Sequence, residues 1–292
     1  MSLQATGRRD ARAGAMLPAW HCLAMLAALV PSTAAAEEKP LWEAGLGVAA
    51  IDFPDYRGAD ERHTYVLPLP YFIYRGEVFQ SDRDGARSRI FKNDRIDLDL
   101  SLSGSIPVDS SDNSARTGMP DLDPTLEIGP KLVVKMLRDR ERGVEVSLTL
   151  PVRTVIASDF TYAHNVGWVF EPRIDMDFKR TWLGEGWNAG MGLGPLFGDE
   201  KYHNYFFGVA PEFATSQRPA YTADGGYGGL RLIGSLSKRF ASFWAGAFVR
   251  VDTLAGSVVE GSPLIRQKES FATGFAITWS LGESTRMINV DD

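Results

Sequence analysis

The sequence predicts an all-β protein, an antiparallel transmembrane β-barrel of about 12 strands, with 10 possible because two short segments near residue 80 separate only weakly. Three observations predict it. Apolar and polar residues alternate, most plainly in Ile96, Leu98, Leu100 and Leu102 interleaved with Asp97, Asp99, Ser101 and Ser103. A strand sends successive side chains to opposite faces, so a two-residue period gives one apolar and one wet face. Most alternating segments run ten residues or more, the length a tilted strand needs to cross a bilayer, whereas soluble strands average about five or six. Beyond residue 36, finally, no stretch approaches the roughly 18 consecutive apolar residues of a membrane helix.

Residues 1–36 read as a secretory signal: Arg8, Arg9 and Arg12 precede an apolar stretch from Ala13 to Val30, and Ala34-Ala35-Ala36 offers a small-residue cleavage site. Residues 37–292 then form the barrel. With its N-terminus periplasmic, the first strand is Leu41 to Ile51, with Trp42, Ala44, Leu46, Val48 and Ala50 outward. A loop over 52–64 leads to a strand from Tyr65 to Tyr74 and a tight turn at Arg75-Gly76. Glu77 to Ser81 and Ala86 to Phe91 form a short hairpin around Asp84-Gly85, a turn dipeptide. Arg95 to Ile106 and Thr125 to Leu137 flank the loop 107–124, and the polar turn 138–143 leads into Val144 to Val155. After the loop 156–165 come Gly167 to Lys179, the turn 180–186 and Trp187 to Phe197. The longest loop, 198–225, precedes strands at Gly226 to Lys238, Phe243 to Thr253 and Ser270 to Leu281. Short turns thus alternate with long loops, as in outer-membrane barrels. Pro130, Pro172 and Pro195 oppose the layout, because each removes a ladder hydrogen bond; bulges would absorb them. A soluble sandwich or a smaller periplasmic barrel, the rival all-β reading, calls for shorter strands and a wet outer face.

Trp42, Tyr65, Tyr74, Trp168, Trp187, Phe243 and Trp279 fall near strand ends, where interfacial girdles sit. The net charge of −6 becomes −8 once residues 1–36 leave, taking Arg8, Arg9, Arg12 and Asp10, which argues against a nucleic-acid partner. The lone cysteine, Cys22, lies in the signal.

By the alternation, the inward charges are Glu43, Asp97, Asp99, Glu127, Glu145, Glu171, Asp175, Asp177 and Asp252, against Arg95, Lys131, Lys135, Arg153, Arg173, Lys179, Arg231 and Arg250. A selective pore favours rings of one sign. Balanced charges pair, and the expectation is an occluded lumen with at most a small water path. His63, His164 and His203 fall in three separate loops, without metal-ligand spacing. No predicted strand holds a histidine, so a Ser-His mechanism would have to be built from loops. Asp109, Asp112, Asp121 and Asp123 lack the spacing of a calcium loop. No catalytic residue, metal or cofactor is expected.

Several motifs resemble the MltA-interacting protein/OmpV (MipA/OmpV) family of Gram-negative outer-membrane proteins. They are Phe53-Pro54-Asp55-Tyr56-Arg57-Gly58, Val66-Leu67-Pro68-Leu69-Pro70-Tyr71, Asn93-Asp94-Arg95 before Asp97-Leu98-Asp99-Leu100, Gly118-Met119-Pro120-Asp121-Leu122-Asp123-Pro124, and Tyr205-Phe206-Phe207-Gly208-Val209. The resemblance implies an outer-membrane barrel and, for the family's namesake, a non-enzymatic scaffold joining a murein-cleaving lytic transglycosylase to a murein-polymerising penicillin-binding protein. On that reading the periplasmic turns make the contact, through Arg138, Arg140, Arg142, Trp182 and Leu183. The rival functions are a narrow channel for small solutes and surface adhesion through the 198–225 loop. The chain departs from common barrels in ending on a polar tail after Trp279-Ser280-Leu281 and not on an aromatic residue.

Overall fold

The computed structural model describes residues 37–75, 79–82, 85–159, 161–179 and 183–290. The expected signal segment and Trp182 lie outside them. Strands β2 (Trp42–Pro54), β3 (Arg62–Arg75), β4 (Phe79–Asp82), β5 (Gly85–Lys92), β6 (Ile96–Ser105), β7 (Thr125–Asp139) and β8 (Val144–Ser158) follow a short β1 (Glu37–Pro40). Then come β9 (Ala163–Phe170), β10 (Arg173–Phe178), β11 (Trp187–Gly198), helix α1 (Glu200–Phe207), β12 (Gly226–Arg239), β13 (Phe243–Thr253), β14 (Glu269–Glu283) and β15 (Met287–Val290). β1 and β15 pair as a separate two-stranded ribbon.

The other thirteen strands make one antiparallel sheet in which each pairs with its neighbours in sequence, and β14 pairs with β2. β9 and β10 lie end to end between β8 and β11, and the strands run round as a ring whose described pairing is thinnest where β3 meets β4, at Tyr74 and Arg75 alone. Between β6 and β3, by way of β14 and β2, the ladders satisfy most of the backbone internally, as lipid demands.

Residues directly opposite in an antiparallel pair share a face, so the two faces can be followed round the ring. Leu46, Leu126, Ile174, Leu193, Val249 and Phe275 stand on the outer face, each about half exposed. Glu43, Asp99, Ser147, Thr149, Arg153, Asp252 and Thr278 stand buried on the inner face. A monomeric soluble protein rarely exposes such an apolar band; here it is the lipid-facing surface.

Prolines set the departures from a regular ladder. The expected continuous strand 167–179 is instead two strands interrupted at Glu171-Pro172, because Pro172 has no N–H for the ladder. The β7–β8 ladder keeps its register but lacks the two pairs between Ile128 opposite Thr154 and Lys131 opposite Pro151, and β11 shifts register between Pro195 and Phe197. A further bulge in β7 falls between Lys135 and Leu137, so Met136 and Leu137 are both exposed. β14 shifts between Ser280 and Gly282 and runs on to Glu283, past the expected end at Leu281.

Two expectations need correction. β3 begins at Arg62 and β9 at Ala163, so His63 and His164 lie on strands, beyond the ends the alternation marked. The 198–225 stretch is no free loop, for it holds α1 and a 3-10 turn at Pro211–Phe213. Asp199 caps α1, its side chain accepting from the Tyr202 amide, and Gly208 ends it.

The long connections all leave the same end of the ring and build a lid with its own core. Tyr56 and Ala59 follow β2; Val108, Ala115 and Leu122 follow β6; Phe207, Val209 and Ala223 follow β11; Leu254, Val259 and Leu264 follow β13. Polar bonds tie the same segments together: Tyr56 Oη donates to Leu264 O at 2.8 Å, Ser262 Oγ to Phe207 O at 2.7 Å, and Gln267 Nε2 to Ala59 O at 2.6 Å. Leu264 is fully buried here. Leu264→Ala is expected to cost about 2–5 kcal/mol. Proteolysis of the purified barrel checks this: cleavage should accelerate within the lid connections while the strands stay intact.

Candidate functional site

The inner face carries a chain of ion pairs just beneath the lid. Arg153, on β8, holds Glu127 of β7 through Nε at 2.8 Å and Glu171 through Nη2 at 2.9 Å. Glu171 also receives Arg231 of β12 at 3.0 Å, and Arg231 Nε donates to Asp252 of β13 at 2.8 Å. Asp252 takes Arg250 on its other oxygen at 2.9 Å. Three carboxylates and three guanidinium groups thus run along the inner face from β7 to β13 and cancel. Pro172 makes this possible: the break between β9 and β10 leaves Glu171 outside the regular ladder, buried between two arginines. Gly194 permits the close approach, since a Cβ there would collide with the Pro172 carbonyl.

Away from this chain, other inward charges pair more locally. Lys135 lies 2.9 Å from Asp97, Lys131 3.8 Å from Asp99 and Arg173 2.5 Å from Asp175, while Glu145 is met at 3.3 Å by Arg138, which the structure places on the end of β7 and not in the turn. Glu43 accepts from Tyr71 Oη at 2.8 Å and from Arg239 Nη2 at 2.9 Å. Asp177 is exposed on the inner face, opposite Glu145 and Gly190. Arg95 is exposed at the start of β6. Tyr71 and Arg239, both missed by counting charges on the strands' inner face, complete the Glu43 site.

The three histidines lie in different surroundings. His63 Nδ1 is 2.6 Å from Asp55, the His164 ring stacks on Tyr162 with centroids 5.7 Å apart, and His203 is wholly buried in the lid. Among the described residues, no three histidine, cysteine, aspartate or glutamate side chains gather as a metal site. The acidic loop spends its side chains on its own backbone: Asp109 accepts from the Ser111 amide and Asp121 from the Ser110 amide. Burial in the lid pushes the Tyr205 hydroxyl up to about 12, and its Oη donates to Asp123 O.

At the turn end, Arg138, Arg140 and Arg142 are exposed, with Arg142 bonded through its amide to Asp139 at 2.9 Å. Leu183 is also exposed.

The model of the family described as "MltA-interacting protein MipA" matches residues 46–281, most of the ring and all of the lid. The chain belongs to the MipA family. Among the relatives of this MipA-family chain, outer membrane protein OmpV of Vibrio cholerae is 24% identical over 214 residues, covering 71% of the chain and 76% of OmpV. Outer membrane protein Omp26La of Vibrio anguillarum is 24% identical over 218 residues, with the same coverage. Of solved structures, Pseudomonas putida OprB overlaps 82% of the chain and 94% of its own length at 9% identity and a TM-score of 0.32, too loose a likeness to argue from. This MipA-family chain is an outer-membrane protein.

Proposed function

We propose that this barrel is a non-enzymatic scaffold in the outer membrane, linking a murein-cleaving lytic transglycosylase with a murein-synthesising penicillin-binding protein through its periplasmic turns. The carrying observation is the family match, whose description names a protein that interacts with MltA. The division of the molecule supports it. One end is spent on a lid packed on its own core, while the other presents short turns with exposed Arg140, Arg142 and Leu183, and Arg138 at the end of β7 paired with Glu145. Exposed arginine and apolar side chains are among the residue types enriched at protein contact sites. The neutral ion-pair chain supports an occluded interior over a selective channel.

Affinity capture from solubilised envelopes tests the reading. The barrel should retain a lytic transglycosylase and a murein synthase, and the R138E/R140E/R142E variant should retain at least tenfold less of each. Capture of neither enzyme by the unaltered barrel would refute the scaffold.

A further inference from the structure

His203 occupies a slot made by two glycines. Its ring is fully buried on α1 and lies against the end of β11 and the start of β12. A Cβ added at Gly198 would stand 2.7 Å from Nε2, and so would one at Gly228. Nδ1 is 2.8 Å from the Asp224 carbonyl oxygen. A carbonyl only accepts, so Nδ1 carries the proton and the neutral ring leaves Nε2 as a bare acceptor. Nε2 is buried without a hydrogen-bond partner.

The surroundings offer nothing to receive a second proton. Arg57, from the connection after β2, donates through Nη1 to Gly228 O at 2.9 Å; its Nη2 is buried without a partner, 3.5 Å from where a Gly228 Cβ would stand. Asp199 is the one carboxylate whose charge favours protonation of the ring, and it is already engaged by the amides of Tyr202 and Trp168. Asp224 faces the ring with its backbone oxygen. The rings of Tyr202 and Phe207 stand 5.6 and 6.4 Å away, and β11 and β12 present the two glycines and Leu196.

We infer that His203 is an acid-sensitive latch: the neutral ring holds α1, and the lid segment it carries, on the mouth of the barrel, and the protonated ring leaves the slot. An imidazolium there would be a buried charge with no acceptor, beside a guanidinium. Burial first, and Arg57 in addition, hold the ring below the usual histidine range. The released ring therefore binds the proton more readily than the docked one. Docking keeps its full strength above about pH 6.5 and weakens as the pH falls toward the docked pKa, by about tenfold per pH unit within that window.

Hydrogen exchange on the purified barrel, corrected for intrinsic rates, tests this at α1 amides with β11 and β12 as internal references. Protection of α1 should fall with acidification from pH 7.5 to 5, while the strands hold. His203→Gln, which cannot titrate, should remove the fall, and Arg57→Gln should shrink it by removing the neighbouring cation. A pH-independent α1 in the unaltered protein would overturn the latch, as would a parallel fall in H203Q, which would assign the effect to lid carboxylates. Should H203Q fail to fold, NMR titration of His203 in the unaltered barrel decides. Ionisation below pH 6.5 together with loss of α1 protection supports the latch, and ionisation at or above 6.5 with α1 still protected overturns it.

Discussion

Arg153→Ala should destabilise the folded barrel by about 3–5 kcal/mol, the expected cost of leaving a buried charge without its partner. Two carboxylates lose their cation at once, for Glu127 and Glu171 both lie within 2.9 Å of the Arg153 guanidinium, and Glu171 is 4% exposed. Arg231 would still hold one Glu171 oxygen, so Glu127 should suffer more. Urea unfolding of the barrel in detergent, followed by tryptophan fluorescence, gives the number. The triple variant R153M/E127Q/E171Q, which removes the charges together, should recover part of the loss. A cost below about 1 kcal/mol for R153A would mean that the chain of pairs is a by-product of packing, as exposed pairs are.

Leu100→Arg should cost about 2–4 kcal/mol when folding is measured into bilayers, because a cation near the bilayer midplane of an outer barrel face has nothing to solvate it. Leu100 lies in the middle of β6, opposite Pro130, on the face that carries half-exposed Leu102. Ser103, three residues along and opposite Glu127 on the inner face, supplies the contrast: arginine there should cost far less. Equal costs at the two positions would place both faces in similar surroundings and remove the membrane reading of the alternation.

How far the sequence could be read depended on whether the information was local. In β6 every second residue reports its face, and Asp97 and Asp99 stand opposite Val133 and Lys131 on the inner side. Strand ends were harder, because pairing continues past the apolar stretch wherever a partner strand continues too. His63 joins β3 opposite Phe53, and His164 joins β9 opposite Ala157, for that reason. α1 was hidden because its apolar side faces the barrel mouth and neighbouring connections, and eight residues are too few for a helical period to stand out. The connection after β13 gave no signal at all. Its Leu254, Val259 and Leu264 look like scattered apolar residues until residues from three other connections surround them.

The sequence by itself determined the two-faced strands, the inventory of balancing charges and the family motifs, since each is written in neighbouring residues and a pleated strand converts spacing into side. Only the tertiary structure decided which charges meet. Glu171 and Arg231 are sixty residues apart, and they pair because a proline break frees Glu171 and the β10–β11–β12 ladder sets Arg231 one strand beyond Gly194, beside it on the inner face. The lid belongs to the same class: no one connection can bury its apolar residues alone, and a core exists only when four converge on one end of the barrel. His203 shows this at a single residue, polar in the chain and buried in the fold because glycines on two strands leave its ring a slot.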